Sequence, residues 1–408
     1  MALVTLADVE RARDALEGII HRTPLDLSQT FSRMTNNEVF LKMENLQKTG
    51  SFKIRGAYNK IESLSAAEKG RGVIAASAGN HAQGVAYAAA RAALRATIVM
   101  PEVAPLSKVV ATRGYGAEVV LAGQVYDEAF RRAQELQREQ GATFIHPFDD
   151  PQVIAGQGTI GLEILRDLPD VSGIVAPIGG GGLIAGIAIA VKALAPHVRI
   201  IGAQASGAPA MYLSKKADHI VTTKTAATIA DGIAVKVPGS LTYEIIQRYV
   251  DDIVTVEDEE IAGTILMLLE RSKVIAEGAG AVGLAAILHG KVSGREKKIV
   301  AVISGGNIDV NMISRIIERG LAKQGRRVRL SMPLTDRPGA LCRLLSVVAD
   351  LRVNVISVRH DRVDPNVPLG LAEVGLSLET RDTHHTQELL TTLQKEGYDV
   401  RILDHKGQ

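Results

Sequence analysis

Up to about residue 320, short runs rich in valine and isoleucine alternate with alanine-rich segments whose apolar residues fall at helical spacing. Residues 73–76, 96–100, 118–121, 173–176, 199–202 and 299–303 read as strands; stretches such as 126–140 and 258–271 read as helices between them. Strands that are apolar without alternation must be covered on both faces, and only crossover helices do that efficiently. The pattern therefore predicts an α/β fold of parallel sheets, with ligands at the carboxyl ends of the strands. Length and strand number suggest two lobes, the smaller over roughly 45–150.

The pattern changes after a polar, basic break, Gln324-Gly325-Arg326-Arg327-Val328-Arg329. There follow a strand to Leu334, a turn at Asp336-Arg337-Pro338-Gly339, a helix to Asp350 and a strand over 353–358. A loop with Asp364, Pro365 and Pro368, a strand over 371–378, a helix near 387–396 and a last strand to Leu403 complete a βαββαβ order. This is a separate α+β domain over 328–408, after a first domain over 1–322. An RNA-binding unit of this shape needs exposed aromatic side chains on its central strands, and residues 353–380 contain none.

The 408 residues are 46% hydrophobic, enough for more than one core, and a net charge of +2 implies neither nucleic acid nor an anionic membrane as partner. The N-terminus lacks a basic segment followed by an apolar core, so no signal peptide is expected. The most apolar stretch, 182–195, is short, rich in glycine and alanine, and interrupted by Lys192; it reads as a buried helix. The single cysteine, Cys342, excludes an internal disulfide and fits a reducing cytoplasm. Its setting, Leu341-Cys342-Arg343-Leu344-Leu345, predicts a core thiol.

Residues 49–55, Thr-Gly-Ser-Phe-Lys-Ile-Arg, follow a strand-like run over 39–44 and open a helix with Ile54, Ala57, Tyr58, Ile61 and Leu64 on one face. Thr49 and Ser51 are good capping types. Lys53 stands against the positive end of the helix dipole, which suggests a nearby anion or an amine that must lose its proton. Further on, Gly179, Gly180, Gly181 and Gly182 join a strand to a helix, where their amides can close on an anion. Gly180-x-Gly182-x-x-Ala185 also satisfies a dinucleotide fingerprint, but residues 199–210 lack the acidic residue that the ribose wants, so a single phosphate is expected. Ser77-Ala78-Gly79-Asn80-His81 opens another helix after the strand ending at Ala76. Its amides and the Ser77 hydroxyl suit a carboxylate, Asn80 suits a phenolic oxygen or a cap, and His81 is either a base or a structural histidine. Ser304-Gly305-Gly306-Asn307 ends the strand over 299–303, where a serine can donate to a ring nitrogen or close a turn. A lysine, a phosphate cup, a carboxamide and a hydroxyl together match pyridoxal 5′-phosphate.

On Ser51-Phe-Lys-Ile-Arg-Gly-Ala57, Ser77-Ala-Gly-Asn-His-Ala-Gln-Gly84, Gly179-Gly-Gly-Gly-Leu183 and Ser304-Gly-Gly-Asn307, residues 5–320 resemble the fold type II pyridoxal-phosphate enzymes, and closely the threonine/serine dehydratases. The resemblance implies two parallel-sheet lobes of the tryptophan synthase β type. It puts the cofactor aldehyde on Lys53, the 3′-oxygen on Asn80, the phosphate on Gly179 to Leu183 and the ring nitrogen on Ser304. The substrate falls at Ser77, Ala78, Gly79, Asn80 and His81. The implied activity is conversion of L-threonine to 2-oxobutyrate and ammonia, and of L-serine to pyruvate, with the freed Lys53 amine removing the α-proton.

The tail resembles an ACT domain, of ferredoxin-like topology, whose effector-site turn matches Asp336 to Gly339. Asn354 would accept the ammonium of an amino-acid effector, for which isoleucine and valine are the candidates. Homo-oligomer contacts, in a dimer or tetramer, are expected through this domain. Serine racemases are similar but carry serine at the position of Ala78, and Gln204, Ala208 and Ala210 stand where their cation site wants carboxylates, so no metal is expected. A catalytically inactive amino-acid sensor is the alternative from another class.

Overall fold

A computed structural model of the protein describes residues 4–294, 297–363 and 367–403. Asp364 and Pro365, expected in a loop, lie outside the described residues. The chain forms two compact units, one ending at Ile308 and the other beginning at Asp309.

The first unit contains, in chain order, β1 (Leu25–Leu27), β2 (Glu38–Lys42), β3 (Val73–Ala76), β4 (Ala96–Met100), β5 (Glu118–Leu121) and β6 (Thr143–Phe144). These are followed by β7 (Gly173–Pro177), β8 (Arg199–Ala205), β9 (Asp252–Val256) and β10 (Lys298–Val302). Among the described residues they form a six-stranded sheet in the order β1-β2-β10-β7-β8-β9 and a four-stranded sheet in the order β5-β4-β3-β6. The pairings are parallel apart from β1, which runs antiparallel to β2 at the edge. Strands β3, β4 and β7 are buried along their whole length, as their unbroken apolar runs require. The short or half-exposed strands β1, β6 and β9 carry no such run and were not legible in the pattern.

Two features bring the chemistry-bearing segments together. The helix Lys53–Glu62 lies against the helix Pro151–Asp167, where a Cβ on Gly56 would fall 2.6 Å from the Val153 carbonyl and one on Gly156 would fall 2.6 Å from that of Arg55. Only glycine permits that approach. The helix Asp258–Met267 passes into a π turn over Leu268–Ser272, which shortens the expected α-helix and redirects the chain towards Glu277.

The second unit opens with the helix Val310–Lys323, expected in the first domain; it packs on the strand that follows and groups with the C-terminal unit. Strands β11 (Arg327–Thr335), β12 (Asn354–Asp361), β13 (Leu371–Glu379) and β14 (Arg401–Ile402) form an antiparallel sheet in the order β12-β13-β11-β14. Val374, Leu376 and Leu378 share a core with Leu344, Val348, Leu389 and Leu393 of the helices Ala340–Asp350 and Thr383–Lys395. Cys342 is exposed on the first of these helices rather than buried, because Leu344 and Val348 define its inward face. Among the described residues no helix is long and apolar enough to cross a membrane.

Candidate active site

Lys53 is the first residue of its helix, and the capping position falls on Phe52 with no side-chain cap bond. Thr49 and Ser51 do not cap. Their hydroxyl oxygens are buried without hydrogen-bond partners. Ser51 instead forms a β-bridge with Gly305, and the Phe52 N–H donates to the Ser304 carbonyl at 3.1 Å, fastening this segment to the carboxyl end of β10. The Lys53 Nζ donates to the Pro147 carbonyl at 2.9 Å. Burial pushes this amine down to about 8, against the opposing pull of Glu277.

The residue after Pro147 connects Lys53 to the glycine loop. A Cβ on Gly180 would fall 2.3 Å from the Phe148 ring, and one on Gly182 would fall 2.9 Å from the Phe148 carbonyl. Gly181, at φ +100°, caps the helix Gly182–Leu194. The amides of Gly179 to Leu183 donate to no protein carbonyl or side chain among the described residues, leaving a bare row of donors at a helix N-terminus.

Asn80 begins the helix Asn80–Arg91 at the carboxyl end of β3. Its Oδ1 accepts from Asn307 Nδ2 at 2.8 Å, and its Nδ2 donates to Glu277 Oε1 at 2.6 Å. Ser304 is buried, and its hydroxyl donates to the Ala279 carbonyl at 3.3 Å. The Ser77 hydroxyl accepts the Gly79 N–H at 3.2 Å, and a Cβ on Gly79 would meet nothing within 4 Å, so this turn faces open space. His81 is not the base that its position invites. It is buried with Nε2 donating to the Ile145 carbonyl at 2.8 Å, and burial, then the Lys53 charge, push it down to about 3. A neutral ring committed to a carbonyl is structural.

These contacts join Lys53, Asn80, the glycine loop and Ser304 around one space. A weakly protonated amine, unfilled amides, a carboxamide and a hydroxyl make a donor set that fits an aldehyde-bearing pyridine phosphate. The family model of pyridoxal-phosphate dependent enzymes matches residues 16–305. The chain belongs to that family. The L-threonine ammonia-lyase of Thermotoga maritima is 55% identical over 98% of this chain and 100% of its own length. Maize serine racemase superposes with a TM-score of 0.74 at 37% identity, covering 79% of this chain and 99% of that one. The processed threonine deaminase isoform 2 of Solanum lycopersicum does so with a TM-score of 0.73 at 40% identity, covering 77% of this chain and 86% of its own.

Two groups of this pyridoxal-phosphate enzyme escaped sequence reasoning. Glu277 is buried, and burial followed by the charge of Asp231 pushes its carboxyl up to about 7. Its only signal was an acid in the small-residue run Ala276-Glu277-Gly278-Ala279-Gly280. The other is a charged cluster beneath the Lys53 helix. The fully buried Arg55 donates to Glu44 at 2.7 and 2.8 Å, to Glu163 at 2.6 and 3.0 Å, and to Thr159 at 3.0 Å. Lys42 completes it through Glu163 and the Thr23 carbonyl. Among the described residues no group of three or more His, Cys, Asp or Glu side chains is placed to hold a metal ion.

The candidate effector residues do not converge within one chain. Asp336 pairs with Arg362 at 2.7 Å, and Gly339, at φ +84°, caps the helix Ala340–Asp350. Asn354 lies beside Glu379 and hence at the Arg327 end of β11, whereas Asp336 follows the Thr335 end. At 3.3 Å per residue, the 9-residue strand β11 separates them by roughly 26 Å.

Proposed function

We propose that this chain is a threonine ammonia-lyase, converting L-threonine to 2-oxobutyrate and ammonia and L-serine to pyruvate. Lys53, Asn80, Gly179 to Leu183 and Ser304 would hold its pyridoxal phosphate. The observation that carries the reading is the placement of Lys53, whose amine reaches the Pro147 carbonyl next to the residue that lines the glycine loop and whose neighbour Phe52 is bonded to Ser304. When bound, the cofactor supplies an electron sink for the substrate's α-carbon. The part-neutral Lys53 amine serves as the base that takes the α-proton. The Ala78 amide and the Ser77 hydroxyl would receive the substrate carboxylate, since the Ser77 and Gly79 amides are taken by the Val99 carbonyl and the Ser77 oxygen. The Ser304 hydroxyl would turn its single hydrogen from the Ala279 carbonyl to the ring nitrogen and, being neutral, would not force a proton on it. Ala78 has no group that can move a proton at the opposite face, which favours elimination over racemisation.

Purified protein given L-threonine should release 2-oxobutyrate and ammonia, and given L-serine should release pyruvate with little D-serine. Ala78→Ser should add measurable serine racemisation at some cost to elimination. Wild-type protein that racemises serine as fast as it deaminates it would overturn both the reaction type and the role of Ala78. A cytoplasmic setting is supported by the single, unpaired thiol.

The reading extends to an ACT domain over 328–408, supported by its βαββαβ order and separate core. Strand β12, at the edge of its sheet and paired with β13 alone among the described residues, exposes Val355, Ile356 and Val358. Two-fold antiparallel pairing of β12 with a second copy would carry one copy's Asn354 towards the other's Asp336–Gly339 turn, uniting the effector residues that a single chain keeps apart. Ile356→Lys should therefore weaken self-association of the intact enzyme and its response to isoleucine or valine together. The response itself should correspond to about 1–3 kcal/mol of coupling. If the intact protein ignores every amino acid tested, the effector assignment fails.

A further inference from the structure

We propose that Glu277 is a positioning residue of this site: the hydrogen bond it accepts from Asn80 would turn the second Nδ2 hydrogen of Asn80 towards the cofactor's phenolic oxygen, and its bond to Gly305, which bridges Ser51, sets its carboxylate beside the segment that carries Lys53. The inference rests on the proposed cofactor site.

The geometry is over-determined at Asn80. Asn307 Nδ2 donates both to the Thr49 carbonyl and to Asn80 Oδ1, each at 2.8 Å. The Asn80 nitrogen must then point the other way, where Glu277 Oε1 takes one of its hydrogens at 2.6 Å. A carboxamide nitrogen carries two hydrogens, so one remains for a ligand. Glu277 is itself held from below, its N–H donating to the Gly305 carbonyl at 3.1 Å. A Cβ on Gly305 would fall 2.4 Å from Glu277 Oε1, so the glycine of this motif makes room for that carboxylate. The π turn over Leu268–Ser272 and the left-handed Lys273 deliver the chain to this point.

The charges around Glu277 come from separate elements. Lys53 and Asn80 approach on their helices, Asp231 from the turn Asp231–Ile233, and Lys108 from the helix Leu106–Gly114, where it pairs with Asp231 at 2.8 Å. His81 and His146 in turn have their pKa lowered by burial and, acting with it, by the Lys53 charge. Burial and Asp231 raise the Glu277 carboxyl to about 7, whereas Asn80, Lys108 and Lys53 act in the opposite direction. Glu277 is thus the acidic group among these that both couples to Lys53 and touches a proposed cofactor ligand.

Glu277→Gln and Glu277→Asp holoenzymes separate charge from reach. The first keeps the side-chain length and loses the charge. It should still be trapped by borohydride as pyridoxyl on Lys53. The pH midpoint of its visible absorption should move down by about half a unit or more, because a carboxylate that favoured the protonated nitrogen is gone. Its kcat should fall by about 10–100-fold with little change in KM. In its apoprotein, the pH midpoint for acylation of Lys53 should move down as well. The aspartate variant keeps the charge and loses the reach, so its absorption midpoint should stay near wild type while kcat still falls. A glutamine variant whose two midpoints match wild type would reduce Glu277 to a strut and overturn the proposal. Absence of pyridoxyl from Lys53 in the wild-type protein would instead overturn the cofactor site on which it rests.

Discussion

Lys53→Ala is expected to lower threonine turnover by about 10⁴-fold or more while leaving the fold intact, because it removes both the proposed cofactor-binding nitrogen and the base. Alanine suits the first turn of a helix. The substitution should also stabilise the apoprotein near neutral pH. The Lys53 amine is lowered from 10.5 to about 8, so the folded state disfavours the cation that the unfolded chain carries. That penalty is present below pH 8 and fades as pH rises towards 10.5. Its ceiling is about 3 kcal/mol, reduced by the partial exposure of the side chain and by the donor that the Pro147 carbonyl loses. Urea unfolding of the two apoproteins at pH 7 and pH 10 should show the variant's advantage at the lower pH alone. Borohydride reduction should place pyridoxyl on Lys53 in the wild type and nowhere in the variant. Residual turnover within tenfold of wild type would remove Lys53 from the chemistry.

Arg55→Met should destabilise the protein by about 3–5 kcal/mol, because it leaves Glu44 and Glu163 in the interior without the guanidinium that both contact. Burial opposes the charge on Glu163, but Arg55 and Lys42 hold its carboxyl below the usual range. The stability that this pairing contributes is present above the unfolded carboxyl pKa and is lost as pH falls through the lower folded value. The wild-type advantage over the variant should therefore shrink in acid. Arg55→Lys should recover little, since a single ammonium cannot replace two forked contacts. Activity should fall with stability, because Arg55 lies on the helix that carries Lys53. Thermal and urea unfolding at pH 7 and pH 4 would check this, and an Arg55→Met variant within 1 kcal/mol of wild type would mean that the cluster relaxes without it.

Much of this enzyme was legible locally. Unbroken valine and isoleucine runs cannot face water, so they announced parallel strands covered by helices. Glycine runs and Ser-Gly-Gly-Asn turns after such strands announced backbone donors at their carboxyl ends, where a Cβ finds no room or, at Gly181, the backbone is left-handed. What stayed hidden depends on residues distant in sequence. Thr49 and Ser51 have the chemistry of caps, yet the bridge to Gly305 turns their hydroxyls inward. Cys342 sits in an apolar stretch, yet the packing of Leu344 and Val348 leaves it outside. The separation of Asn354 from Asp336 follows from the direction of strands that the hydrophobic pattern alone does not order. Glu277 is an unremarked acid in sequence; its meaning arises only where β10, the Asn80 helix and the Asp231 turn meet. Composition and periodicity determined the elements and the kind of cofactor they suit. Tertiary structure decided which polar atoms are partnered, because hydrogen bonds and charge coupling act over a few ångströms and are indifferent to separation along the chain.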